Sequence, residues 1–193
     1  MISDINPERI IGECLETGLG LKTYTRIIDI VLKDDFVATK DFRKLYNGYF
    51  KVRQKPGEWY DKYYELMEER KSTPRSIEDI MAELLSKKSS IEVSFASKLI
   101  ATVDPNMPIW DQYVLRNLGL EDRWEKCRYE GYDKRINEAG RIYCIIESMY
   151  KDFLNSKEGR DCLEKFDDVL PKYKRVITPT KKLDFILWSK RQD

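Results

Sequence analysis

Histidine is absent from this 193-residue chain. That removes imidazole metal ligands, the Ser-His-Asp and Cys-His nucleophile systems, and any imidazole pH switch. An excess of either charge is also lacking. The 35 Lys and Arg residues face 34 Asp and Glu, a formal net charge of +1, so only local basic patches can attract a nucleic acid. No apolar run approaches the roughly twenty residues of a membrane span. The segment Met1-Ile2-Ser3-Asp4-Ile5 has neither the basic start nor the apolar stretch of a signal peptide, so the expectation is a cytoplasmic protein with no membrane partner. There is no glycine-rich phosphate loop of the P-loop or dinucleotide type, and no nucleotide cofactor is implied.

The four cysteines, Cys14, Cys127, Cys144 and Cys162, are far apart and show no paired spacing. Most neighbour apolar residues such as Leu15, Ile145 and Leu163, which reads as reduced thiols in a core. A motif of four clustered cysteines is missing too, so neither an iron-sulfur centre nor any other metal or cofactor is expected.

What is present is helical periodicity, repeated along the chain with short breaks. Asn6-Pro7 suits a helix start, with Ile10, Ile11, Cys14 and Leu15 following and Gly18 as a stop. Leu21, Tyr24, Ile27, Ile28 and Val31 define a second helix. A third spans about Thr39 to Gln54 before Pro56-Gly57 breaks it. Trp59, Tyr60, Tyr63, Tyr64 and Met67 form an aromatic-rich fourth, Ile77, Ile80, Met81, Leu84 and Leu85 a fifth, and Phe95 to Val103 a sixth that ends at Asp104-Pro105. A helix opened by Asp111 comes next. Beyond an irregular charged stretch from Glu121 to Arg135, the strongest pattern runs Ile136, Ala139, Ile142, Tyr143, Ile146, Met149, Tyr150 and Phe153. A shorter helix carries Cys162, Leu163, Phe166, Val169 and Leu170, and the last starts at Thr178-Pro179. No segment alternates with period two for long enough to form a sheet. The fold class is therefore all-α: one compact multi-helix domain over residues 1–193, with 121–135 as the weakest point for a junction between two lobes.

Asp111 is the candidate functional residue. It follows a proline-containing turn and precedes Val114, Leu115 and Leu118, which share one helix face, with Gly119 as the stop. That places it at the N-cap, where the first-turn amides and the positive end of the helix dipole suit a carboxylate's charge. A fixed carboxylate can stabilise the cation that builds on a sugar as a glycosidic bond breaks. Asp is also among the commonest caps, so the spacing leaves a purely structural role open.

The run Asp111-Gln112-Tyr113-Val114-Leu115-Arg116 resembles the Asp-x-His-Val-x-Arg segment of the helix-hairpin-helix DNA glycosylase superfamily, with Tyr113 where His is usual. Ser94-Phe95-Ala96 is similar to the start of the helix leaving the hairpin in that superfamily, and Thr73-Pro74 with Ile77-Glu78-Asp79-Ile80 to its earlier helix. The similarity covers about residues 73 to 120. It implies a two-lobed helical fold and a base-removing (monofunctional) DNA glycosylase, a DNA-repair hydrolase acting on double-stranded DNA. Asp111 would be the essential acid. Ser94 stands where backbone-cutting members carry a nucleophilic Lys, and Lys98, one turn on, could project from the same face. With Trp110 and Tyr113, these two would line the pocket for an extruded base. The alternative on the same scaffold is a non-catalytic nucleic-acid-binding or protein-interaction module.

The glycine turn of that superfamily's hairpin is missing. Lys87-Lys88-Ser89-Ser90-Ile91-Glu92-Val93 stands in its place, with Ser89 and Glu92 spaced as a capping box and Lys87 and Lys88 as possible phosphate contacts or a solvated helix end. Arg116 and the basic C-terminal segment, including Lys174, Arg175, Lys181 and Lys182, are the other nucleic-acid-binding candidates. In that segment Asp184 is the one acid, and a plain solvated surface is the competing reading.

Overall fold

The computed structural model describes residues 20–33, 39–85, 91–127 and 129–189. Among them there are ten α-helices, one short 3-10 turn and no strand, as the all-α reading expects. The helix expected between Asn6 and Gly18 lies outside the described residues. The chain divides into two compact units that meet in sequence between Asp104 and Pro105. The 121–135 stretch, expected as the junction, lies within the second unit.

In the first unit α1 (Leu21–Lys33), α2 (Lys40–Phe50), α3 (Gly57–Ser72) and α4 (Ile77–Glu83) precede α5 (Val93–Val103). Helix α5 packs on α1, α3 and α4. It suits that central place because small and apolar residues surround it: Ala96, Ser97, Leu99, Ile100, Ala101 and Thr102 are all buried. Around it the core is aromatic. Trp59 stacks on Tyr63 with centroids 5.0 Å apart, and Tyr46 meets Tyr64 edge-on at 5.8 Å. The Tyr63 hydroxyl donates to the Phe95 carbonyl at 2.9 Å, so the Tyr46 hydroxyl, 2.9 Å from it, is the donor between the two phenols. Burial pushes the Tyr46, Tyr63 and Tyr64 phenols well up, which keeps this core uncharged.

Two helix ends differ from the expectation for local reasons. Helix α2 stops at Phe50 rather than near Gln54, because Lys51 turns left-handed at φ 57° and the amides of Lys51 and Val52 both reach the Asn47 carbonyl. Val52, buried just past the turn, supplies the apolar contact such an ending favours. The capping box forms at α4, where Ser76 Oγ accepts from the Asp79 amide at 3.1 Å and the Asp79 carboxylate accepts from the Ser76 amide at 3.2 Å. Helix α5 begins at Val93 with Glu92 at its cap position, so Glu92 does not act as the third helical residue of a Ser89 box. Its carboxylate pairs with Lys55 instead.

The second unit holds α6 (Gln112–Leu118), α7 (Glu121–Lys126), α8 (Tyr132–Asn155), α9 (Lys157–Val169), the 3-10 turn Pro171–Tyr173 and α10 (Pro179–Ser189). The stretch read as irregular thus contains α7 and the first turn of α8. Ala139, Ile142, Tyr143, Ile146 and Tyr150 of α8 are buried, on the face the periodicity marks. The turn into α9 is tight. Ser156 Oγ caps it by accepting from the Gly159 amide at 2.9 Å, and a Cβ at Gly159 would lie 1.9 Å from the Phe153 carbonyl oxygen. Helix α10 packs on α6, α8 and α9, and every residue from Thr180 to Leu187 is buried. Of the described cysteines, Cys162 is buried with its thiol pushed up to about 11 by burial. Cys144 is exposed, which corrects its assignment to a core face, and Cys127 is half-buried.

Candidate active site

Asp111 has the cap geometry its sequence setting calls for. The residue is extended (φ −134°, ψ 154°), and its Oδ1 accepts from the Tyr113 amide at 2.8 Å. Val114, Leu115 and Leu118 turn inward from α6, and Gly119 closes the helix at φ 72°, where a residue without Cβ is at ease. The carboxylate therefore has a set direction, on a half-buried residue at the start of a short helix.

Upstream, α5 ends at Asp104 because the residue before a proline is driven to extended conformation. The segment from Pro105 to Trp110 has no helical bonds of its own and is held by side chains from α8 and α10 and by Thr178 just before α10. Thr178 Oγ1 donates to the Pro105 carbonyl at 2.5 Å, and Tyr143 Oη donates to the Pro108 carbonyl at 2.8 Å. The Ile109 amide donates to Asp184 Oδ1 at 3.1 Å. The same Oδ1 accepts from Tyr150 Oη at 2.8 Å, and Oδ2 accepts from Lys181 Nζ at 2.5 Å. This cluster is fully enclosed: Lys181, Asp184 and Tyr150 are 2 %, 5 % and 2 % exposed. Burial pushes the Asp184 carboxyl up, and the Lys181 ammonium, the Ile109 amide and the Tyr150 hydroxyl all oppose that shift. The Tyr150 phenol is raised first by burial, then by Asp184, then by Tyr143 and Asp111.

The other candidates near Asp111 have structural partners. Trp110, expected in a base-stacking pocket, is buried and meets the half-buried Trp124 edge-on at 5.2 Å, so its ring packs against protein. Tyr113, half-buried, is the second residue of α6 and supplies the amide that holds Asp111. Arg116 forms a two-pronged pair with Glu121, both bonds at 3.0 Å. That guanidinium holds the Glu121 carboxyl below its usual range.

Lys181 and Lys182 are corrected most. The expectation is a basic surface, yet both are buried, Lys181 on Asp184 and Lys182 on Asp167 at 2.5 Å. Burying an ammonium is costly unless a carboxylate lies beside it, and the helix supplies or meets one in each case. Lys174 and Arg175 are exposed. Nothing in their sequence spacing marks Asp184, Tyr143, Tyr150 and Thr178 as a group. The available signal is a lone acid three residues after Lys181, on a helix otherwise rich in Leu and Ile.

Ser94 and Lys98 belong to the first unit. Ser94 is half-buried, and its carbonyl accepts from Ser97 Oγ at 3.0 Å. Lys98 Nζ donates to the Phe50 carbonyl at 3.2 Å and lies 5.3 Å from the centre of the Phe95 ring. Lys87 and Lys88 lie outside the described residues. No group of three or more Cys, Asp or Glu side chains suited to a metal exists among the described residues, and no described helix is long and apolar enough to cross a membrane. No family model, curated protein or solved structure matches the chain.

Proposed function

We propose that the chain is a base-removing N-glycosylase of double-stranded DNA, with Asp111 as its essential carboxylate. The observation that carries this reading is the fixed Asp111 carboxylate, capping α6 through the Tyr113 amide at 2.8 Å. In the reaction the bond between the sugar C1′ and the base nitrogen breaks, and its electron pair leaves with the base. Positive charge develops on the sugar ring, where a preorganised carboxylate is stabilising. Water then bonds to C1′ and gives up a proton, and the departing base gains one. The packing of α4 on α5, two consecutive helices, gives further support, since the resemblance implies such a pair. Exposed Lys174 and Arg175 remain available to a phosphate backbone.

The test is abasic-site formation on duplexes carrying deaminated, oxidised, alkylated or mismatched bases. Asp111→Asn keeps a competent cap and removes the charge, so activity should fall at least about a hundredfold with little change in melting temperature. Full activity in Asp111→Asn would overturn the mechanism. Salt-dependent duplex binding without cleavage of any substrate would instead support the non-catalytic module.

A further inference from the structure

We infer that Asp184 is the positioning residue for Asp111, acting through the main chain of Ile109. This inference rests on the proposed glycosylase reading for its kinetic consequence, although the positioning itself can be measured without activity. Placement carries the first part. Asp184 sits on α10, 75 residues beyond the loop in sequence, and its Oδ1 holds the Ile109 amide at 3.1 Å. Only Trp110 lies between Ile109 and Asp111, and its ring is locked against Trp124. Fixing the Ile109 nitrogen therefore leaves the Asp111 backbone little freedom before its own carboxylate meets the Tyr113 amide.

The chemistry of the cluster points the same way. Packing alone would be served as well by hydrocarbon at position 184, because a buried ion pair seldom stabilises a fold more than apolar residues of similar volume do. What a carboxylate supplies and hydrocarbon lacks is a strong acceptor for a main-chain N–H with no helical partner. Tyr150 and Lys181 donate to the same carboxylate and keep it directed at the loop. Tyr143 and Thr178 hold the Pro108 and Pro105 carbonyls, so the loop is pinned on both its donor and acceptor groups. A carboxylate that must face a developing cation needs its position held to about half an ångström, and this is the kind of support that provides it.

The experiment compares Leu and Asn at position 184 in the full chain carrying Lys181→Met and Tyr150→Phe. That background removes the buried ammonium and the phenol, so the two variants differ chiefly in whether Ile109 keeps an acceptor. Amide hydrogen exchange at Ile109 and Tyr113 should be at least about tenfold faster with Asp184→Leu than with Asp184→Asn. On a cleavable duplex, single-turnover base release should slow at least about tenfold with Leu while duplex affinity stays within about twofold, and Asn should restore most of the rate. A merely structural role would not separate rate from affinity. Unchanged Tyr113 exchange with Leu, or base release as slow with Asn as with Leu, overturns the inference. Should the parent chain release no base from any duplex, the proposed function fails and the exchange comparison alone decides the positioning. Should the Leu variant not fold, Asp184→Ala in the same background removes the acceptor without crowding the site: faster Tyr113 exchange than with Asn supports the tether, and equal exchange overturns it.

Discussion

Both units are organised around one buried helix, yet the two helices solve burial by opposite chemistry. In the first unit α5 is enclosed with small and apolar residues, and the hydroxyls that surround it are neutral phenols bonded to one another and to a carbonyl. In the second, α10 takes two lysines and an aspartate into the interior and satisfies each with a charged partner. Neutral groups of the first kind lose only modest bonds when altered, whereas removing one member of a buried ion pair strands the other. The second unit is accordingly the more vulnerable to single substitutions, and its vulnerable point is the cluster that holds the Asp111 loop.

The largest expected effect tests this directly. Asp184→Ala, which leaves Lys181 buried without its carboxylate, should cost about 3–5 kcal/mol in denaturant unfolding, and adding Lys181→Met should recover much of that. Tyr63→Phe in the first unit removes the bond to the Phe95 carbonyl and the acceptor of the Tyr46 hydroxyl, and should cost about 1–2 kcal/mol. If the two losses prove equal, the contrast between the units collapses.

Gly159→Ala probes backbone rather than charge. Its Cβ meets the Phe153 carbonyl, an atom that cannot rotate away, so a loss of about 1–3 kcal/mol is expected by thermal or urea melting. Smaller still, Ser76→Ala removes one half of the α4 capping box and should cost about 1 kcal/mol. Finally, the carboxyls of Glu83 and Glu138 are held low, chiefly by bonds from Lys62 and Arg123 respectively. A carboxyl lowered in the fold contributes stability that is complete above its ordinary value of 4.5 and is lost as the pH falls through the lowered value. Glu83→Gln and Glu138→Gln should each flatten the acid limb of a stability–pH profile below about 4.5, one for each unit.

Much of the helical plan was legible because apolar spacing reports a helix's inward face without knowing what it packs on. The α8 face and the Asp111 to Gly119 helix follow from that alone. Helix ends are harder where main-chain geometry decides them: nothing in Lys51 announces a left-handed turn, and Ser76 competes with Pro74 as a start. Lys181 and Lys182 show the deeper limit. Lysines on a charged chain end have a solvated surface as their natural reading, and only the fold brings Asp167 to Lys182 across the α9–α10 interface. Asp111 stands out in the sequence because its cap is local, within two residues of its amide partner. The grip on its loop escapes such a reading because its parts come from residues 143, 150, 178 and 184.

The tryptophans make the two units separately visible to light. Trp59, stacked on Tyr63, is the first unit's single indole, while the edge-on Trp110–Trp124 couple lies in the second, beside the stretch of chain that presents Asp111. Two indoles 5.2 Å apart are close enough for their transitions to couple, and any circular dichroism from that coupling depends on their mutual geometry. Loosening of that loop can thus be followed optically while Trp59 fluorescence, isolated in a variant whose other tryptophans are replaced, reports on the neighbouring aromatic core.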